Sequence, residues 1–388
     1  MGNNTGKTAT VYMMNFSTDN WDRRGTPIQS STLPSGSAYD MKVSISDDGQ
    51  IVALSDSGYS SEKGLVKVVQ WNSTSEDWST IGNIFIGSYG AKAGASIQLS
   101  SAGTITIAYT EMLYNGFGAV KVYTYDGSSW GQKGDVITTS LPSRSLSSRV
   151  LQGPSTSVTA FDMTPDGNLI VIVFSNGDVQ LFRYSTIGAT WELSYSFENF
   201  LGGRDISISR NGSIVAICGG VEDGATRIFR SDRNGGYEYE HTISSDCDAV
   251  SLSNDGKTVA VGSSDTTLVR MYNNETWVSK GDSLSGGREV ELVASGEVMI
   301  KLVSDLAQVF SYGVPLRYIG DCYPGQCGIC MGDCDYDSDC PDGLKCFKRD
   351  DYQFVPGCTR GGIHDDEGKY IMHLSIMSIP NICFNRTN

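Results

Sequence analysis

The chain has 388 residues, 39% of them hydrophobic and 19% charged, and a formal net charge of −15. That length suits one large domain plus a smaller one, and the low charge with abundant Gly, Ser and Thr suits short strands and tight turns rather than long helices. The acidic surface repels phosphate backbones and anionic lipid, which argues against nucleic acid as a partner; no apolar run is long enough to insert in a membrane, the nearest, residues 371–384, being broken by His373, Ser375, Ser378 and Pro380.

In chain order, residues 1–10 are polar and carry no signal-peptide hydrophobic region. Residues 8–16 read as a strand with no partner before it. From there a repeat runs to about residue 315. A turn of Ser or Thr, one or two polar residues and Gly separates two apolar strands. It occurs as Ser46-Asp47-Asp48-Gly49, Ser100-Ser101-Ala102-Gly103, Thr164-Pro165-Asp166-Gly167, Ser209-Arg210-Asn211-Gly212 and Ser253-Asn254-Asp255-Gly256, and in worn form as Ala294-Ser295-Gly296. Asp-Gly and Asn-Gly favour hairpins because both residues tolerate positive φ. The strand after each turn is nearly all apolar, as in Ile51-Val52-Ala53-Leu54, and so reads as buried on both faces.

A third, alternating strand follows each pair, as in Val120-Lys121-Val122-Tyr123. A fourth is marked by Trp with Gly four residues on: Trp21/Gly25, Trp78/Gly82, Trp130/Gly134 and Trp277/Gly281. Trp191 and Tyr239 are read as holding that place in the two copies without the Gly. Four antiparallel strands repeated about every 40 to 55 residues imply β-propeller blades, each of which has an apolar face that only a neighbour can bury. The fold class expected is therefore all-β: a seven-bladed propeller over residues 1–316 with its first blade truncated, six blades being the alternative. A pair of β-sandwiches would not repeat one strand order with Trp at one fixed place.

Residues 317–388 are expected to form a small cysteine-rich module. Eight Cys lie there: Cys322, Cys327, Cys330, Cys334, Cys340, Cys346, Cys358 and Cys383. An even cluster in a Gly-rich, apolar-poor stretch reads as a disulfide framework whose pairing sequence cannot give. Cys327 and Cys330 have zinc spacing, but no second matching pair follows. Cys218 and Cys247 lie in the propeller, either as small buried hydrophobes or as a bridge between blades. Six Asn-x-Ser/Thr sequons occur, at Asn3, Asn15, Asn72, Asn211, Asn274 and Asn385. Asn72 and Asn274 fall at turns and are the better glycan acceptors, ahead of Asn211 and Asn15.

The strongest polar cluster is Asp333, Asp335, Asp337 and Asp339. Alternate carboxylates in a turn can converge on calcium, but the positions an EF-hand needs as Gly and Glu hold Ser338 and Leu344, so a solvated acidic turn is the plainer reading. No other cofactor is implied. Only three His are present, and His364-Asp365-Asp366-Glu367 lies in a polar stretch. No nucleophile elbow, phosphate loop or His-Glu-x-x-His pair appears.

The strand–Ser-x-Asp-Gly–strand pairs, with Gly-x-Val-x-Val-x-x-Tyr and Trp-x-x-x-Gly, resemble the WD40-like and FG-GAP-like propeller repeats of extracellular proteins from diatoms, other marine protists and marine bacteria. The chain departs from integrin-type propellers, lacking their Asp-x-Asp-x-Asp-Gly calcium loops, and from true WD40 repeats, lacking their Gly-His and Trp-Asp pairs. The stretch from Gly332-Asp333-Cys334 to Val355-Pro356-Gly357-Cys358 resembles a Cys-rich module of predicted secreted diatom proteins, except that its terminal Tyr-Cys is missing here. The resemblance implies a secreted or cell-surface address. The function expected is a non-enzymatic binding or structural scaffold that recognises protein or glycan through its loops, with homo-assembly left open. The alternatives are a secreted polysaccharide hydrolase with acidic residues at the channel, and an intracellular WD40-type scaffold with free thiols.

Overall fold

In a computed structural model the described residues are 8–15, 20–30, 41–46, 48–100, 104–114, 116–138, 156–197, 203–219, 224–243, 246–273, 275–292 and 298–303, followed by the strand segments 306–311, 314–315, 317–321, 331–333 and 358–359. As far as residue 311 antiparallel sheets follow one another along the chain with their main strands in chain order, and Phe85–Ile86, Ile137–Thr138 and Leu284–Ser285 each pair back on the third strand of their blade. Blade 2 is built from Val43–Ile45, Ile51–Asp56, Leu65–Asn72 and Asp77–Thr80. Blades 3 to 6 begin at Ile97, Val158, Gly203 and Ala249, and blade 7 holds three strands, Glu289–Leu292, Val298–Val303 and Leu306–Ser311. Blade 1 is represented by its outer half: Thr8–Ala9 pairs Ile28–Gln29, and Tyr12–Asn15 pairs Asn20–Arg23. Among the described residues the fold is a β-propeller with seven blade positions, the first represented by its outer half, as the repeats imply. The one helical turn among the described residues, Tyr59–Glu62, is left-handed at Ser60, Ser61 and Glu62.

The turn chemistry explains the repeat. In blade 4 the Thr164 hydroxyl donates to Asp166 Oδ1 at 2.6 Å and accepts the Leu169 N–H at 3.1 Å, while Gly167 N–H closes the turn on the Thr164 carbonyl. Gly167 sits at φ 64°, the left-handed region that a side chain resists. Ser46/Asp48 and Ser253/Asp255 repeat the pattern, and Asn211 replaces the Asp in blade 5. The following strands Ile51–Asp56, Leu169–Phe174 and Ile214–Gly219 are buried throughout.

The Trp-x-x-x-Gly signature joins neighbouring blades. The indole N–H of Trp78 donates to the Arg24 carbonyl, that of Trp130 to Ile81, and that of Trp191 to Lys133. Each acceptor precedes the Gly of the previous blade. A Cβ on Gly134 would meet the Trp191 ring at 2.7 Å, so the Gly is required by the close approach. Blade 1 thus stands before blade 2 as blade 2 stands before blade 3.

One assignment needs correction. The Trp position in blade 5 belongs to Tyr237, not Tyr239. Tyr237 pairs with Ser231, as Trp191 pairs with Tyr184, and lies buried with its hydroxyl on the Gly212 carbonyl. Tyr239 is 58% exposed. The turn before Tyr237 is one residue shorter, Ser231 to Tyr237 against Tyr184 to Trp191, while the bulge between Ile228 and Phe229 lies beyond Tyr239 and has a counterpart in blade 4. Blade 5 lacks the Gly, and Trp277 of blade 6 correspondingly has a buried indole N–H without a hydrogen bond among the described residues.

Cys218 and Cys247 form a disulfide linking the second strand of blade 5 to the entry of blade 6, one of the two readings left open for this pair. Both are fully buried in the apolar layer between these blades.

Candidate active site in the channel

The first strands of blades 2 to 7 surround a channel of about 480 Å³. Alternation along these strands sets its chemistry. Apolar residues turn toward the preceding blade: Ile206 and Ile208 pack on Val171 and Val173, and Val290 and Leu292 on Ala260 and Val269. The polar residue between them turns toward the following blade. It is Ser44, Gln98, Asp162, Ser207, Ser251 and Glu291 in blades 2 to 7, always two residues before the turn position held by Ser or Thr in blades 2 to 6.

These residues stitch the ring. Ser44 Oγ accepts the Leu99 N–H at 3.0 Å, Ser207 Oγ the Leu252 N–H at 3.1 Å, and Ser251 Oγ the Leu292 N–H at 2.9 Å. Asp162 does the same with charge. Its Oδ2 accepts the Ile208 N–H at 2.9 Å and the Ser207 hydroxyl at 3.2 Å, and its Oδ1 accepts the Met163 N–H and the Gln98 amide. Asp205, one tier further along the channel, accepts the Val250 N–H at 2.9 Å. Glu291 occupies the stitching position of blade 7, and among the described residues its carboxyl makes no hydrogen bond. It opens to the channel beside the seam where blade 1 would meet blade 7. Across that seam Lys42 meets Glu289 at 3.4 Å, both half-exposed.

Enclosure in the channel raises all three carboxyls. Burial pushes Asp162 up to about 6 against the lowering effect of its hydrogen bonds. Asp205 is likewise pushed up to about 6 by burial, with Asp162 adding to the rise and the Val250 and Ile206 N–H groups and Lys42 opposing it. Burial, then the charges of Asp162 and Asp205, push Glu291 up to about 8. Glu291, open to the channel, is raised above the two aspartates and so keeps its proton to a higher pH than they do, a separation of the kind acid–base catalysis uses.

No family model matches the chain, and the search of curated proteins found no relative. Solved structures do resemble it. A proposed 6-phosphogluconolactonase from Bacteroides uniformis shares 16% identity, with a TM-score of 0.54 over 78% of this chain and 87% of that one. A second, from Bacteroides fragilis, shares 15% at 0.53, over 78% of this chain and 86% of that one. The β-propeller domain of Myceliophteria thermophila Cps50 (Swd1) shares 12% at 0.50, over 78% of this chain and 90% of that one. The likeness is one of fold.

The expectation of a non-enzymatic scaffold is corrected by these neighbours, two of which are proposed hydrolases on the same ring. The hydrolase alternative with acidic residues at the channel fits better, and the converging acids agree with it. Sequence reading named none of them. Aligning the copies on the turn residue would have found the signal, because Asp162 and Glu291 then stand out among Ser and Gln.

The other residues singled out from sequence are not brought to this site. Asn72 and Asn211 are exposed, and each side-chain oxygen accepts a hydrogen bond within its own turn. Asn15 lies in strand Tyr12–Asn15, its side chain outside the described residues, as is Asn274. Of the acidic cluster, Asp333 ends strand Met331–Asp333, while Asp335, Asp337 and Asp339 lie outside the described residues. The eight tail cysteines also lie outside them, save that Cys358 begins the strand Cys358–Thr359.

Proposed function

We propose that this chain is an extracellular hydrolase of uncharged carbohydrate, acting in the propeller channel. The observation that carries the reading is the convergence of Asp162, Asp205 and Glu291 there with their pKa values pushed apart. Glu291, which keeps its proton to a higher pH than the aspartates, gives it to the leaving oxygen of a glycosidic bond. Asp205, ionised, takes a proton from the water that attacks the anomeric carbon. Asp162 has both oxygens occupied by donors, so it acts by charge and position rather than by proton transfer.

The substrate class follows from the field. Asp162, Asp205, Glu289 and Glu291 line the channel, and the nearby cation, Lys42, is paired with Glu289. Such a wall repels phosphate and carboxylate, which disfavours the phosphorylated lactone that the neighbours' names carry. The Cys218–Cys247 bridge supports an oxidising address, as the cysteine-rich tail and the exposed Asn72 sequon do from sequence. Assay of the full chain for reducing ends released from neutral glucans, mannans, xylans and galactans tests the reading, with 6-phosphogluconolactone in parallel. Turnover of a neutral glycan that both Glu291→Gln and Asp205→Asn abolish is expected. Turnover confined to the phosphorylated lactone, or of nothing in the panel, would overturn it.

A further inference from the structure

The contact between neighbouring blades recurs around the ring, yet one outer place is filled in one interface and open in another. Between blades 2 and 3 it holds aromatic rings. Phe85 of blade 2 lies 4.6 Å from Tyr123, 5.4 Å from Tyr109 and 5.7 Å from Trp130 of blade 3, centroid to centroid. Between blades 1 and 2 the equivalent residues are Ile28, Val69, Leu54 and Trp78. The strand ladders fix these equivalences: Ile28 pairs with Ala9 as Phe85 pairs with Val66, Leu54 with Lys67 as Tyr109 with Lys121, and Trp78 with Trp71 as Trp130 with Tyr125. Three rings are thus replaced by aliphatic side chains, and the Trp alone remains. A cleft of about 640 Å³ lies there, with Ile28 and Val69 in its closed floor, Trp78 and Lys67 in its walls, and Thr8 and Gln29 at its open rim.

The charge of the two places differs as well. In blade 3 Lys121 meets Glu111 at 2.8 Å. Lys67 holds the same register in blade 2, but the place of Glu111 is taken by Asp56, which is one methylene shorter and accepts the Ser30 hydroxyl at 3.4 Å. Among the described residues the Lys67 ammonium makes one hydrogen bond, to the Gln29 carbonyl at 3.2 Å, and has no carboxylate partner. Burial lowers its pKa, and no neighbouring negative charge opposes the shift. Asp77, next to Trp78 in sequence, is turned onto the Thr26 N–H and hydroxyl, each at 2.9 Å. A half-buried lysine without a counter-ion is uncommon, since burial of an ammonium is ordinarily matched by pairing. We propose that this cleft binds a small aromatic carboxylate, its ring taking the place that Phe85 and Tyr123 fill in the next interface and its carboxylate meeting Lys67. A flat ring restores the tilted or edge contact with the Trp78 indole that the aliphatic residues do not make. A monoanion matches the single cation and completes a charge-assisted hydrogen bond. A neutral ring would leave Lys67 without a counter-ion, and a dianion would bring a second negative charge that the cleft does not meet. An apolar floor with one fixed charge, in a cleft of this volume, is the ordinary form of a small-molecule site. The inference rests on the comparison of two interfaces and holds or fails independently of the catalytic reading.

Calorimetric titration of the full chain with benzoate, and in parallel with neutral benzamide, tests the proposal. Benzoate is expected to bind at a single site about tenfold or more tightly than benzamide, the usual strength of one hydrogen bond to a charged group, and Lys67→Met to remove that preference. Val69→Tyr puts back the ring that Tyr123 supplies between blades 2 and 3, and is expected to abolish benzoate binding while the chain still folds. Should Val69→Tyr fail to fold, Ile28→Phe, which restores the ring of Phe85, decides the same point. Glu291→Gln should leave the benzoate affinity unchanged. No binding of benzoate, equal affinity for benzamide, or binding that survives the filling of the cleft would overturn the proposal. Loss of binding in Glu291→Gln would also overturn it, by moving the ligand to the channel.

Discussion

The interface between blades 4 and 5 and the gap between blades 7 and 2 present one ring position in two states. In the first, Asp162 has four donors on two oxygens and Ile206 and Ile208 are buried. In the second, Glu291 has no hydrogen bond among the described residues, and Val43 and Ile45 are bare. Chemistry at a carboxyl needs a free oxygen and an accessible proton, whereas ring stability needs the reverse. On the proposed reading, the repeat supplies its acid without a new fold, through the copy of a structural acceptor that makes no hydrogen bond among the described residues.

That comparison predicts a division of labour, and the largest effect belongs to Glu291→Gln. Turnover should fall by about 10²–10⁴-fold, the usual contribution of a general acid, with little change in the unfolding midpoint. The pH profile of kcat/KM sharpens it. Asp205 must be ionised and Glu291 protonated, so activity should rise through about pH 6 and fall through about pH 8. Glu291→Gln should remove the alkaline limb. A profile flat across pH 6–9 would break the assignment.

Stability carries the opposite sign. All three carboxyls have folded pKa values above their unfolded ones, so the folded state binds more protons between about pH 4 and pH 8. Their joint contribution should fall as pH rises through that window, and urea midpoints at pH 5 and pH 8 check it. The site is thus built at a cost to the ring that carries it.

The next effect is the staple. The Cys218–Cys247 bridge closes a loop over a sequence separation of 29, which in the chain-entropy account corresponds to about 3–4 kcal/mol. Replacing both with Ser should lower urea stability by about that amount. Asp162→Ala follows, at about 2–4 kcal/mol, because it strands the Ile208 N–H and the Gln98 amide beside the channel. If Asp162→Ala abolished turnover and left stability intact, the roles drawn for Asp162 and Glu291 would be exchanged.

How much of this was legible in the sequence differs by layer. The blades were, because the turn needs Thr164, Asp166 and Gly167 together, and such local demands leave fixed spacings. The Trp–Gly contact was visible as a motif, though its partner in the next blade was not. Tyr237 was missed because Tyr239 shares its alternation in the same strand, and only the pairing of Tyr237 with Ser231 tells the two apart. The channel acids were missed for a different reason. Each sits in an ordinary alternating strand, and their convergence is produced by closing the ring, so no single strand announces it. The scaffold expectation was corrected at the same point, by the lactonase-like fold neighbours and by acids that only the closed ring brings to one channel.

The smallest effects test whether the ring is a chain of local stitches or a closed whole. Ser44→Ala and Ser251→Ala each remove the acceptor of one inter-blade N–H, from Leu99 and Leu292 respectively. Each should cost about 1–2 kcal/mol, the desolvation of an amide left without its partner. The two sites share no hydrogen-bond partner, so independent stitches would add in the double variant to within about 0.5 kcal/mol. A double variant that departs from additivity by more than about 0.5 kcal/mol would show that the ring couples its stitches, whereas simple addition would leave the blades joined only pairwise.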